Sequence, residues 1–207
     1  GTLSAQTPVP EWQAGVDKMK SLIQTNPAQA SEEVGELLKG KNKKNVDLVT
    51  SVAHVYLDAG KLTEAQEYLA MAKKANNKDP KVSVLEGDIA LAQKNVGQAC
   101  QLYEQAIYFD PNCKEAYLKY AQAYKSASPA LAIEKLEQLK AVDPNCLEAD
   151  RELAEVYYSS NRFGKAAEMY AKFIDTPLAT EDDMLKYAFA LFLNHDFEKS
   201  LQVAQKG

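Results

Sequence analysis

Small residues recur along this chain at a nearly fixed interval, and that interval limits the folds open to it. Ala53, Gly87, Ala121, Ala154 and Ala188 stand 34, 34, 33 and 34 residues apart, and Ala65, Ala99, Ala132, Ala166 and Ser200 keep 34, 33, 34 and 34. A third column holds larger apolar residues, Leu69, Tyr103, Leu136 and Tyr170. All three columns lose one residue, between Tyr124 and Ala132. Three columns that share one deletion make a tandem repeat, and a period of this length means stacked supersecondary units.

Each unit reads as two helices. In the unit that contains Ala53, the apolar residues Val52, Val55 and Tyr56 fall at i, i+3, i+4, and after Gly60 a helical spacing resumes at Leu62, Ala65 and Leu69. Gly60 can take the left-handed conformation that closes a helix, and the corresponding turns elsewhere are QKN, SASP, SNR and NHD. The tetrapeptide Asp-Pro-Asn-Cys occurs at 110–113 and again at 143–146. Proline cannot continue the helix before it. Asn112 and Asn145, each three residues ahead of a glutamate (Glu115, Glu148), are expected N-caps. Asp79-Pro80 and Thr180 with Asp183 are expected to do the same work. The three cysteines, an odd number, argue against a disulfide framework. Where two helices cross closely, a side chain beyond Cβ pushes the backbones apart, which explains the small columns, and the large column fills the space between hairpins.

These columns resemble the tetratricopeptide repeat, with a small residue near position 8, Tyr near 11, Ala at 20, an aromatic at 24, Ala at 27 and Pro at 32. One unit supplies Tyr117, Ala121, Tyr124, Ala132 and Pro144, and the unit before it Gly87, Ala99, Tyr103, Ala106 and Pro111. A later one supplies Ala154, Tyr157, Ala166 and Tyr170. At position 4 the expected aromatic is mostly replaced, by Val49, Ser83, Asp150 and Met184, so the units are divergent. The resemblance implies an all-α, right-handed α-α superhelix of about six helical hairpins and twelve helices. Residues 1–9 are expected to be a flexible lead. Residues 10–45 form a degenerate pair (helices Pro10–Gln24 and Ala28–Leu38, then a polar loop, GKNKKN) that lacks the small columns, with Met19 and Gly35 in their places. Five repeats follow, at roughly 46–79, 80–112, 113–145, 146–179 and 180–207, the last one truncated.

Little points to catalysis. The two histidines, His54 and His195, lie far apart, and there is no HExxH, CxxC, phosphate-binding glycine loop or GxSxG. No enzyme activity, metal or cofactor is expected. The net charge of −5, with Lys and Glu interspersed, provides no basic stripe for nucleic acid, and no apolar run is long enough to span a membrane. The family resemblance implies instead a concave groove, lined by the first (A) helix of each repeat, that binds a protein or peptide partner. Its residues here are His54, Lys81, Asp88, Glu115, Gln122, Lys125, Arg151, Glu155, Tyr158, Phe189 and Phe192. The asparagines and paired lysines of carboxylate-clamp repeats are absent at position 9, which here holds His54, Asp88, Gln122, Glu155 and Phe189. The groove's acidic members suit a partner with basic residues. Its C-terminal end turns aromatic, which suits either a hot spot or packing against a further helix.

Two other roles are consistent with the sequence: an assembly module that self-associates through its C-terminal end, and a regulatory input domain of a longer protein. The final unit stops about a turn short of the others with no capping repeat, so the natural chain is expected to continue. Gly1 without a Met reads as a cloning remnant, and Leu3-Ser4-Ala5-Gln6 has small residues at signal-peptidase spacing. Export to the bacterial periplasm or cell envelope is therefore expected, with a cytoplasmic location as the alternative.

Overall fold

The computed structural model describes residues 8–195 and 197–206; for Phe197, Glu198 and Ser200 only the backbone is described. The expected lead lies mostly outside the described residues. Among those residues the chain is all-helical, with twelve α-helices: α1 (Gln13–Leu22), α2 (Pro27–Leu37), α3 (Val46–Asp58), α4 (Leu62–Asn76), α5 (Pro80–Ala92), α6 (Val96–Phe109), α7 (Lys114–Tyr124), α8 (Pro129–Val142), α9 (Leu147–Ser159), α10 (Phe163–Phe173), α11 (Glu181–Leu193) and α12 (Phe197–Lys206). They pack as six consecutive pairs in two compact units, residues 1–109 and 110–207. The segment expected as a polar loop, GKNKKN, instead forms a short 3-10 helix, Gly40–Lys44, between α2 and α3. The first helix is shorter than expected, because Trp12 is its N-cap and Pro10 only accepts a turn bond from Gln13.

In the first unit α3 packs on α1, α4 and α5, and α5 on α6. In the second, α9 packs on α7, α8 and α10, and α11 on α10 and α12. The small residues are where the pairs close. Ala53, Ala121, Ala154, Ala65, Ala99, Ala132 and Ala166 are essentially inaccessible, and Gly87 and Ala188 are buried; the side chain of Ser200 lies outside the described residues. At Gly87 the approach is closest: an added Cβ would stand 2.6 Å from Cε1 of Tyr103 and 3.2 Å from the carbonyl oxygen of Ala99. The third column, Leu69, Tyr103, Leu136 and Tyr170, fills the buried core. Gly15 plays a similar part in the N-terminal pair, where an added Cβ would meet Cδ2 of Leu37 at 2.3 Å. The place of close approach is therefore Gly15; Met19 is buried within the pair and Gly35 faces open space.

The turns inside the hairpins repeat a helix-closing device. Gly60, Lys94 and Asn161 all have positive φ, and the residue after each donates its amide to a carbonyl five residues back: Lys61 to Tyr56, Asn95 to Ala90 and Arg162 to Tyr157. This is the Schellman closure, and His195 shares the positive φ. The unit with the one-residue deletion lacks it. There Ser128 donates to Tyr124, four residues back, no residue between α7 and α8 has positive φ, and Pro129 starts α8 directly. The deletion removes the left-handed residue.

The turns between hairpins differ partly from expectation. Asp79 caps α5 through the Lys81 amide with Pro80 following, and Thr180 with Asp183 forms a full capping box on α11, both as expected. Asn112 and Asn145 are not N-caps. Cys113 and Cys146 hold those places, without a side-chain cap bond. In the first of these turns Asp110 accepts the Asn112 amide at 2.9 Å, which tightens the turn one residue early, and Tyr117 donates its hydroxyl to the Pro111 carbonyl at 2.7 Å. Asn112 is thereby the middle of a turn rather than the start of a helix. None of the three cysteines is in a disulfide.

The space at two glycines fixes opposite signs for the same substitution. Gly87→Ala is expected to destabilise the protein by about 1–2 kcal/mol, because the Tyr103 ring is fully buried and cannot retreat. Gly35→Ala, within α2 and facing open space, is expected to stabilise by about 0.5–1 kcal/mol. Chemical denaturation of both variants checks the pair.

Candidate functional site

The expected groove residues sit on the first helices of the pairs, Lys125 at the C-cap of its helix, and several of them bond across neighbouring repeats, two pairs to each other: His54 with Asp88 and Lys125 with Glu155. In the first unit, Asp47 of α3 and Lys81 of α5 pair at 2.6 Å. His54 Nε2 meets Asp88 Oδ2 at 2.8 Å, and His54 Nδ1 faces the Thr50 carbonyl at 3.0 Å. Both partners of that imidazole are acceptors, so only the doubly protonated ring satisfies both. Asp88 also accepts the hydroxyl of Tyr103 from α6, at 2.6 Å. One carboxylate thus ties two repeats and both helices of its own hairpin.

The second unit follows the same scheme with different chemistry. Gln122 of α7 and Lys125 at its C-cap reach Glu152 and Glu155 of α9, at 3.0 and 3.3 Å. Lys114 reaches Glu148 at 3.3 Å, and Glu115 meets Lys119 at 3.4 Å on its own helix. Arg151 of α9 reaches the buried Asp183 of α11 at 2.9 Å, and the same carboxylate closes the Thr180 capping box. That contact positions α11 against α9. Asp150, in the column where Tyr117 stands, is also buried and pairs with Lys140 of α8.

The large column shows where the two units part. Tyr170 is the counterpart of Tyr103, and Glu155 that of Asp88. Glu155 turns to Lys125 instead, and the Tyr170 hydroxyl is buried without a hydrogen-bond partner among the described residues. Burial, and next the charge of Glu155, push that phenol above its ordinary range.

Of the aromatic members, Tyr158 is partly covered, edge-on to Phe163 and Tyr170 at 5.6 and 6.5 Å, with Lys186 Nζ 5.9 Å above its ring. Phe189 and Phe192 remain exposed at 54% and 51%, beside Leu185 at 59% and Leu193 at 45%. Sequence reasoning picked out Phe189 and Phe192 but missed the ties. A charge at one position signals a partner only when its mate, 30 to 34 residues away, is read in the same register. Among the described residues no cluster of three or more His, Cys, Asp or Glu could hold a metal, and no helix is long and apolar enough to cross a membrane.

Glu152 carries a cost that can be measured. Burial raises its carboxyl above the ordinary range, more than the Gln122 hydrogen bond lowers it, and the neighbouring Glu155 adds to the rise. A carboxyl raised in the folded state favours folding when protonated and loses that contribution as pH rises through its folded value. Glu152→Gln is therefore expected to raise Tm at pH 7, with the gain fading as pH falls to the ordinary glutamate range near about 4. Thermal unfolding across that interval reads the sign.

The family model described as tetratricopeptide repeat matches residues 53–112 and 122–179, more than half of the chain. No curated protein matches it. Among solved structures it is similar to PilW, described as a widely conserved type IV pilus biogenesis factor, with TM-score 0.72 and 16% identity over 96% of this chain and 93% of that one. It is similar to pilF of Pseudomonas aeruginosa, with TM-score 0.70 and 17% identity over 94% and 89%. It is also similar to YrrB, described as a TPR protein with an unusual peptide-binding site, with TM-score 0.59 and 14% identity over 92% and 91%. At these identities the likeness is one of fold. The repeat period, the helix pairs closed over small residues and the family match lead to one assignment: this chain belongs to the tetratricopeptide repeat family.

Proposed function

We propose that this chain is a non-catalytic interaction scaffold that docks a segment of another protein along the A-helix face of its repeats. The observation that carries this reading is that the wall's charges are engaged in ties between repeats while its aromatic end is exposed to solvent. Asp47, His54, Lys81, Asp88, Lys125, Arg151 and Glu155 are held in ties between repeats. Phe189 and Phe192, close in sequence on α11, are half exposed. Exposed aromatics on a rigid helical frame are the anchors that give most binding energy to an interface. The paired charges then set register and encounter. Basic groups on the partner would compete for Glu155 or Asp88 at the cost of an existing tie, so apolar contact supplies the affinity.

YrrB is described as having a peptide-binding site and PilW as a pilus biogenesis factor; with this chain they share the fold. Placement in the bacterial cell envelope belongs to the same proposal and stands on the small-residue reading of Leu3-Ser4-Ala5-Gln6. A displayed random-peptide library, selected on the whole chain, tests the docking reading. Enriched peptides are expected to lose on the order of tenfold or more in affinity when Phe189 or Phe192 is changed to Ala, and to bind a Leu201→Ala protein unchanged. Peptides that bind all three variants alike would contradict it.

A further inference from the structure

The side chains by which α3, α7 and α9 reach the next A helix are polar. Asp47 and His54 of α3 reach α5, Gln122 of α7 and the C-cap Lys125 reach α9, and Arg151 of α9 reaches α11. One period after Arg151, Glu155, Tyr158 and Ser159 stand Leu185, Phe189, Phe192 and Leu193. They fall at i, i+4, i+7 and i+8, one stripe along α11, and all are exposed. The other side of α11 is occupied, with Tyr187, Ala190 and Leu191 buried in the core of the second unit.

Within each unit α3, α7 and α9 meet the next A helix through such side chains, so the seat on α11 has the shape of a helix, with an apolar complement in place of an ionic one. An extended segment suits it less, because its backbone amides would face side chains that accept no hydrogen bond. The start of the helix adds charge. Glu181 and Asp182 are exposed there, and Asp182 stands in the column of Asp47, which takes Lys81 from the first turn of the next A helix. A second copy of this chain is a poor match for that end, since the one cation of α11, Lys186, is already held by Asp182 at 3.0 Å.

We propose that this face of α11 seats an amphipathic α-helix of a partner protein, lying where a further A helix would lie. Its apolar stripe covers Leu185, Phe189 and Phe192, and a lysine or arginine in its first turn faces Glu181 and Asp182. This rests on the scaffold reading above and narrows the kind of partner.

Fluorescence anisotropy tests it with the whole chain and three labelled synthetic peptides. The first is an amphipathic helix of roughly 18 residues, about five turns, with a leucine stripe and a first-turn lysine. The second carries a central proline, and the third a glutamate in place of the lysine. The first is expected to bind, the proline peptide on the order of tenfold more weakly and the glutamate peptide measurably more weakly. Leu185→Glu and Phe189→Glu in the protein should each weaken the first peptide on the order of tenfold. Both side chains are more than half exposed, so far-ultraviolet helicity should not change; Leu201→Glu on α12 should leave binding intact. Equal binding of the helical and proline peptides, or indifference to Leu185→Glu, overturns the proposal. If library-selected extended peptides bind through Phe189 and the helix does not, the helix proposal falls and the scaffold reading stands; if neither kind binds, both fall. Dimerisation seen by light scattering and abolished by Leu185→Glu would make a second copy the occupant and overturn it too.

Discussion

Where the two helices of a hairpin cross, their backbones come together over a side chain no larger than a methyl group. At Gly87 even a methyl is too large, because the Tyr103 ring and the Ala99 carbonyl already fill the space. The close crossing leaves each hairpin thin, with an apolar side its own two helices cannot cover. Leu136 and Tyr170 are nevertheless fully buried, in one cluster with residues of neighbouring hairpins, so stacked hairpins supply the missing cover. Stability in such an array is a sum of weak hairpins and the contacts between them.

The polar ties follow from the same stacking. A fixed period puts equivalent positions of neighbouring A helices side by side, and residues 30 to 34 apart then pair: Asp47 with Lys81, His54 with Asp88, Lys125 with Glu155, Arg151 with Asp183. The exposed pairs contribute little each to stability. Arg151 with Asp183 differs, because the carboxylate is buried and also caps α11, so it fixes where the aromatic end of the wall stands. The ties leave few charges for a partner, and the apolar stripe of α11 becomes the surface on which binding energy is concentrated.

Much of this was legible in the sequence, for a physical reason. The small columns and the Tyr/Leu column obey steric limits that only a few residue types satisfy, so they show in a single chain. The helix-closing residues were legible only at Gly60, because Lys94, Asn161 and His195 take the same left-handed backbone without the glycine that would advertise it. The N-caps at Asn112 and Asn145 were misplaced, since asparagine serves a turn as readily as a cap and Asp110 claims the Asn112 amide first. Gly15 was overlooked because its pair lies outside the repeat register. The pairing of His54 with Asp88 was hidden, although both were picked out separately as groove residues.

The dependence of each hairpin on its neighbours is tested most directly by the far-ultraviolet circular dichroism of an isolated one. A peptide of residues 146–179 contains α9 and α10 with their own close crossing at Ala154 and Ala166. Without α8 and α11 against it, the account predicts a mostly disordered spectrum in water. A helical content equal to that of the same residues in the intact chain would contradict it.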